Sequence, residues 1–197
     1  MALVAAGMAL MFVMWSATYG GRVLLAERSQ GTLPRLLVSP TTRVQVLGGK
    51  IFGTFLTSVA QVLILILGTT LLFRLSWGDP LGVLALVLAA VFAAVGWGLV
   101  ITSVAKSPGQ VTSLGTAAML VFGLLGGTFF SLHNAGSFIQ LLSKIAPNAW
   151  GLDGFTTLAM GGRLPDILTP ILSLLAIGAV LFLIAVALFS RIGITEP

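Results

Sequence analysis

The chain has 197 residues, of which 57% are hydrophobic and only 8% are charged, and its mean hydropathy is +1.11. A soluble domain is about 25% charged, so this composition excludes a protein with an ordinary water-facing surface. The absence of cysteine and the single histidine, His133, exclude a disulfide framework, cysteine-based metal sites and paired-histidine metal sites within this chain. The net charge of +5 comes from basic residues between apolar stretches, which favours membrane topology over nucleic-acid binding as its explanation.

Five apolar stretches are long enough to cross a bilayer, since a helical crossing needs about 20 apolar residues. They run over residues 2–20, 51–73, 81–105, 111–130 and 167–189. The sequence therefore predicts an all-α fold, a polytopic membrane helix bundle that forms one transmembrane domain over residues 1–197. No Asp, Glu, Lys, Arg or His lies within these stretches, which argues against proton relays and ion-coupled carriers.

The basic residues divide unequally between the two sides of the membrane. The side with the loop over residues 22–50, Lys106 and the C-terminal tail carries seven Lys and Arg, and the other side carries three. Because the richer side is cytoplasmic, we expect the C-terminus inside and the N-terminus outside. A first span that enters from outside without a targeting segment indicates that a preceding span, with or without an external domain, is missing from this sequence. A protein that naturally begins outside is the alternative.

The first loop, residues 22–50, contains a helical pattern. Leu33, Leu36 and Leu37 follow the spacing of one helical face, and Arg28 and Arg35 share another face. We therefore expect a short amphipathic helix on the cytoplasmic surface.

The loop over residues 131–165 is predicted to be external. It is still apolar, but Pro147, Asn148 and several glycines interrupt it. Re-entrant half-helices fit this pattern, because irregular backbone within a membrane needs cover from protein or from a watery cavity.

Small and polar residues within the spans leave alternatives open. Two glycine pairs, Gly49 with Gly53 and Gly123 with Gly127, have the GxxxG spacing that lets helices approach closely. They favour either packing within one bundle or contact with a second subunit. Gln61 is the one strongly polar side chain deep in a span; it either lines a transport path or bonds to a neighbouring helix.

The sequence shows no catalytic centre. Ser131 and His133 lie two residues apart in the external loop without a visible third partner. No phosphate-binding GxxxxGK[ST] pattern occurs, since Ile51 follows Gly48-Gly49-Lys50. Uphill transport would therefore need energy from another polypeptide, and on the cytoplasmic side only the loop over 22–50 is large enough to dock one.

Two regions together resemble a known family. The stretch ERSQGTLPRLLVSP at 27–40, followed by LGGK at 47–50, is similar to permeases of type-2 ATP-binding-cassette (ABC) exporters. So are GGTFF at 126–130 and PNAW at 147–150. Family members usually have six spans, and this chain matches the last five, which supports a missing first span. Many relatives carry prolines where Ser131 and Ala135-Gly136 stand here.

The resemblance implies a mechanism. Two permease subunits, identical or different, pair above two cytoplasmic ABC ATPase subunits, and the ATPase subunits bind ATP and magnesium; this chain itself is no enzyme and binds no cofactor. The loop helix would sit in a groove of the ATPase and couple its closure to transport. The residues carried over to that coupling element are Glu27, Arg28, Gly31, Thr32, Leu33, Arg35, Leu36 and Leu37. The alternative for its basic face is binding to anionic membrane lipid.

The resemblance thus implies the membrane subunit of an exporter in a bacterial plasma membrane. An amphipathic or hydrophobic substrate, such as a drug, a lipid or a lipid-linked molecule, fits the uncharged spans. A membrane anchor or assembly factor that does not transport is the alternative, and an ATPase partner would discriminate between the two.

Overall fold

The computed structural model describes residues 2–30, 43–129 and 136–191, and these residues form seven α-helices. We number the helices in chain order: α1 Ala2–Ser29, α2 Arg43–Phe73, α3 Pro80–Val104, α4 Pro108–Leu125, α5 Ser137–Ser143, α6 Pro147–Ala159 and α7 Leu168–Arg191. A single 3₁₀ turn, Leu164–Ile167, leads into α7. The fold is all-α, as predicted.

Within the described residues five helices are long and apolar enough to span a membrane, which confirms the predicted number. Their spanning segments are Val4–Glu27, Gln45–Phe73, Pro80–Val104, Pro108–Leu125 and Leu164–Leu188. They join into an up-and-down bundle. One end of the bundle holds Glu27 and Lys50 and the other holds Asp79; we call these the Glu27–Lys50 end and the Asp79 end.

The first two spans are longer than the apolar stretches predicted. Helix α1 continues past Arg22 to Ser29, and α2 begins at Arg43 instead of residue 51. The 31 residues of α2 cover about 46 Å, whereas the hydrocarbon core is about 30 Å thick. The helices extend beyond the predicted apolar runs because a charged residue ends an apolar run without ending a helix.

Helix α4 is shorter than predicted and ends at Leu125 instead of residue 130. Gly127 has a φ of 76°, which glycine adopts without strain. The amide of Gly127 donates to the carbonyl of Leu124 (3.2 Å), and that of Thr128 donates to the carbonyl of Gly123 (3.0 Å). This pair of bonds is the Schellman motif that closes a helix.

Helix α3 forms the centre of the bundle. In its spanning segment 61% of the residues are buried, against 17% for α2 and 22% for both α4 and α7. It packs along α7 and α1, and side chains such as Leu86 and Val91 are fully buried. The other spans surround α3 and expose apolar faces.

The predicted half-helices correspond to α5 and α6. Helix α6 contacts α1, α3, α4 and α7. Gly151 lies against Leu10, and Gly154 lies against Leu86, so the absence of side chains at both positions seats α6 within the bundle. Helix α5 packs only lightly, against α4, and exposes Phe138 and Leu141.

Candidate functional site

The predicted coupling element joins α1 to α2. The structure describes the side chain of Glu27 and the helical backbone of Arg28. The other predicted coupling residues lie outside the described part of the chain: Gly31, Thr32, Leu33, Arg35, Leu36 and Leu37. Ser131 and His133 also lie outside it. What the structure places is therefore the two helix ends between which residues 31–42 run.

An ion pair joins the last turns of α1 to α2, about two turns after α2 begins. The Lys50 ammonium on α2 donates to the Glu27 carboxylate on α1. The two residues are 23 positions apart in the chain, and their side chains are 28% and 27% exposed. A pair that water reaches contributes about 0.2–1 kcal/mol. Glu27 precedes residues 31–42 in the chain and Lys50 follows them. The geometric effect of the pair is therefore to hold the last turns of α1 against α2 next to this connection.

Close contacts connect the same part of α1 to the rest of the bundle. A Cβ on Gly98 of α3 would lie 2.6 Å from the carbonyl oxygen of Ala17. On α4, Gly115 leaves the space that the Thr18 side chain fills. The hydroxyl of Thr18 donates to the carbonyl of Met14 (2.8 Å), so its polar atom is satisfied within α1. A displacement of α1 must therefore move α3 and α4 as well.

These contacts were not predicted from the sequence. The sequence analysis considered glycines spaced as GxxxG. The glycines that bring the helices together do not have this spacing: Gly20 faces Thr54, and Gly21 faces Thr102. Each is paired with a threonine or backbone of another helix. Such a match becomes visible only when the helices are aligned in space.

A groove opens between α1 and α2 beside the ion pair. Its volume is about 310 Å³. Its lining residues are Ser16, Tyr19, Gly20, Val23, Lys50, Gly53, Thr54 and Thr57. Gly53 and Thr57 are exposed along its α2 wall, and Tyr19 and Val23 along its α1 wall. The groove thus combines hydroxyl groups with apolar side chains.

Local hydrogen bonds fix the hydroxyl groups of this groove. Thr57 donates to the carbonyl of Gly53 (2.9 Å), and Thr54 donates to that of Lys50 (3.0 Å). Fully buried Ser58 donates to Ser16 Oγ (3.0 Å), which ties α2 to α1. The lone pairs of both threonines and the hydroxyl proton of Ser16 are left for further bonds.

The candidate pathway residue, Gln61, lies one turn beyond Thr57 on α2 and is partly buried. It is outside the lining of the groove. A role for it in a transport path stays a prediction.

The two glycine pairs differ in their surroundings. A Cβ on Gly49 or Gly53 would meet no atom of the described chain within 4 Å, so packing within the bundle does not occupy this pair; contact with a second subunit stays a prediction. Gly123 lies in α4 next to Met11 and Phe129. Gly127 lies beyond the helix end at positive φ, so the two glycines of the second pair do not lie on consecutive turns of one helix. A contact of this pair with a second subunit stays a prediction.

Comparison with known proteins gives two findings. The model of the family described as "ABC-2 family transporter protein" matches residues 1–187. The linearmycin resistance permease protein LnrN of Bacillus subtilis (strain 168) is 30% identical over 179 residues, which cover 90% of this chain and 46% of that relative. The chain therefore spans about half the length of this curated relative.

Proposed function

This chain belongs to the ABC-2 family of transporter proteins, and from that membership we propose that it is a membrane-spanning subunit of an ATP-driven exporter. A separate ABC ATPase hydrolyses ATP with magnesium, and a second permease subunit, identical or different, completes the transport path. The Glu27–Lys50 pair carries the proposal, because it ties α1 to α2 close to the segment that would dock the ATPase.

The Glu27–Lys50 end faces the cytoplasm in this proposal. Six Lys and Arg of the described residues lie at this end, against three at the other, and this excess favours it as the inner side. They are Arg22, Arg28, Arg43, Lys50, Lys106 and Arg191. Arg74, Lys144 and Arg163 lie towards the Asp79 end, which is then external. The connection between α1 and α2, residues 31–42, is then on the cytoplasmic side, where an ATPase can reach it.

Coupling follows from how α1 is held. When the ATPase closes on ATP it moves residues 31–42, and the Glu27–Lys50 pair makes α1 and α2 move together. Because α1 touches α3 and α4 through Gly98 and Gly115, this motion is passed on to the bundle. Packed interfaces switch between discrete arrangements instead of deforming gradually, which suits a cycle that opens the path to one side at a time.

The substrate proposed is amphipathic or hydrophobic. The relative in Bacillus subtilis is named a resistance permease, which supports efflux as the direction of transport. The spans of this chain present apolar side chains to their surroundings, such as Phe12, Leu56 and Ile64, and a molecule taken from a membrane would cross such a surface readily.

The first test is recovery of the ATPase. The full-length protein, tagged at its C-terminus in its native cells, is purified in mild detergent and its bound proteins are identified. We expect an ABC ATPase, and we expect its loss when Arg35 and Leu36 are both replaced by Asp. Intact permease complexes without an ATPase would refute the exporter and favour the membrane anchor.

The second test concerns the ion pair. We expect Glu27→Lys to insert and assemble normally but to lose the stimulation of ATP hydrolysis by transport substrate, because two ammonium groups would then repel where α1 and α2 meet. Lys50→Glu is expected to lose the stimulation in the same way, because two carboxylates would then repel each other. The double exchange, Glu27→Lys with Lys50→Glu, restores opposite charges and should restore stimulation; unchanged stimulation in both single variants would remove the pair from the coupling element.

A further inference from the structure

The groove between α1 and α2 has a mixed chemistry that the coupling role does not use. Ser16, Thr54 and Thr57 present hydroxyl oxygens, while Val23 and the Tyr19 ring present apolar surface. The threonine protons are engaged by backbone carbonyls, so the two threonines offer acceptors. Ser16 and the Tyr19 hydroxyl can donate.

The charges in the groove balance. Lys50 is the cation of the lining, and it is paired with Glu27. The Arg22 guanidinium lies 5.9 Å from the centre of the Tyr19 ring and is outside the lining. A ligand with a net charge would have to break the Glu27–Lys50 pair or leave its own charge unmatched. A ligand whose polar head is uncharged, and which both donates and accepts hydrogen bonds, can bind without breaking the ion pair and without leaving a charge unmatched.

The groove runs from the membrane boundary into the apolar layer. Lys50 and Thr57 are seven residues apart on α2, which is about 10 Å along the helix. Beyond Thr57 the exposed face of α2 continues at Ile64, and beyond Ser16 that of α1 continues at Phe12. A molecule lying along this path would place its polar head against hydroxyl groups and its tail against apolar side chains.

We propose that this groove binds the uncharged, hydroxyl-rich head of an amphipathic molecule that enters sideways from the cytoplasmic leaflet. The proposal deepens the exporter function and rests on it, since it names the class of substrate the permease takes up. The absence of a side chain at Gly53 keeps the α2 wall open, and Gly20 lets α1 and α2 meet at the floor.

Site-specific labelling tests the proposal, since the chain has no cysteine of its own. Gly53→Cys places a thiol in the groove, and Gly68→Cys places one on the same helix outside the lining; a Cβ at either position meets no described atom within 4 Å. The full-length permease is reconstituted in phosphatidylcholine vesicles in which about one lipid in ten is a monoglucosyl diacylglycerol. A membrane-permeant maleimide then labels the thiols.

We expect the glucolipid to slow labelling at position 53 about fivefold, which corresponds to occupation of roughly four grooves in five, and to leave position 68 unchanged. Thr57→Val, combined with the Gly53→Cys reporter, should raise the glucolipid fraction needed for half protection about fivefold, the effect of one neutral hydrogen bond. Thr70→Val is the matched control, because Thr70 is also exposed on α2 and donates to a carbonyl four residues earlier.

Three results would overturn the proposal. Equal protection by phosphatidylglycerol would show that the groove does not select an uncharged head. Equal slowing at position 68 would show a general effect of the lipid. A thiol at position 53 that stays unlabelled without glucolipid would show that protein already covers the groove. None of these depends on recovery of the ATPase, so this proposal and the exporter function can fail separately.

Discussion

Replacement of Gly98 by alanine tests whether the contact between α3 and α1 holds the bundle together. The added Cβ would lie 2.6 Å from the carbonyl oxygen of Ala17 and 2.9 Å from its carbonyl carbon. Both are backbone atoms of a buried helix segment, so they cannot rotate away as a side chain would. Ordinary contact begins at 3.4 Å, and α1 and α3 must therefore separate by about 0.8 Å.

The cost follows from this separation. Overpacking of a close interior contact destabilises by about 1–3 kcal/mol, and the better helix propensity of alanine offsets up to about 1 kcal/mol. We expect Gly98→Ala to lower the free energy of unfolding by about 1–2 kcal/mol. Because Ala17 lies three residues from the Gly20–Thr54 contact, the shift should also loosen the groove.

The measurement is thermal unfolding of the purified full-length protein in mild detergent, followed by tryptophan fluorescence. Gly68→Ala is the matched control, since it makes the same chemical change within α2 and its Cβ would meet no described atom within 4 Å. It should be neutral or slightly stabilising. If the Gly98→Ala protein has the same melting temperature as the Gly68→Ala protein and the unaltered protein, the argument that backbone contact fixes α1 against α3 is refuted.

Two further changes test the Asp79 end of the bundle. Gly127→Ala should destabilise by about 1 kcal/mol, because alanine is strained at a φ of 76°; equal melting of this variant and the unaltered protein would argue against the turn as a fixed helix end. Thr69→Val removes the acceptor 3.1 Å from Nε1 of buried Trp77 and should cost about 1–3 kcal/mol, whereas Thr70→Val next to it should cost less in the same melting assay. If both threonine variants lose a similar amount of stability, the hydrogen bond from Trp77 does not explain the effect of Thr69→Val.

The membrane-spanning stretches were predicted from the sequence, whereas the ends of their helices were not. Charged residues at Arg22 and Lys50 marked the limits of apolar runs, but the helices continue past both. A helix leaving the hydrocarbon core still satisfies its own backbone hydrogen bonds, so it has no physical reason to stop at the first charge. At Gly127 the helix does stop, through a backbone conformation that spacing alone did not reveal.

For the candidate site too, one part was predicted from the sequence and another part became visible only in the structure. The family pattern singled out Glu27, and the resemblance was confirmed by comparison with known proteins. Its partner Lys50 belongs to the LGGK pattern at 47–50, but the contact between the two was not predicted. The residues are 23 positions apart in the chain, and their contact depends on how two helices align. The groove hydroxyls were hidden for the same reason, since they come from both α1 and α2.

Composition and apolar length determined by themselves that this chain is a multi-pass membrane protein with five candidate spans in its described part, because a long apolar helix satisfies both the lipid and its own backbone. Which faces are buried was decided by the tertiary structure. Mean hydropathy is 3.0 in the spanning segment of α7 and 2.6 in that of α3, yet 22% of the first and 61% of the second is buried. Lipid tails are as apolar as a protein interior, so the same residue types suit both surroundings. Only the spatial fit of residues such as Gly98 against Ala17 decides which helix becomes the centre.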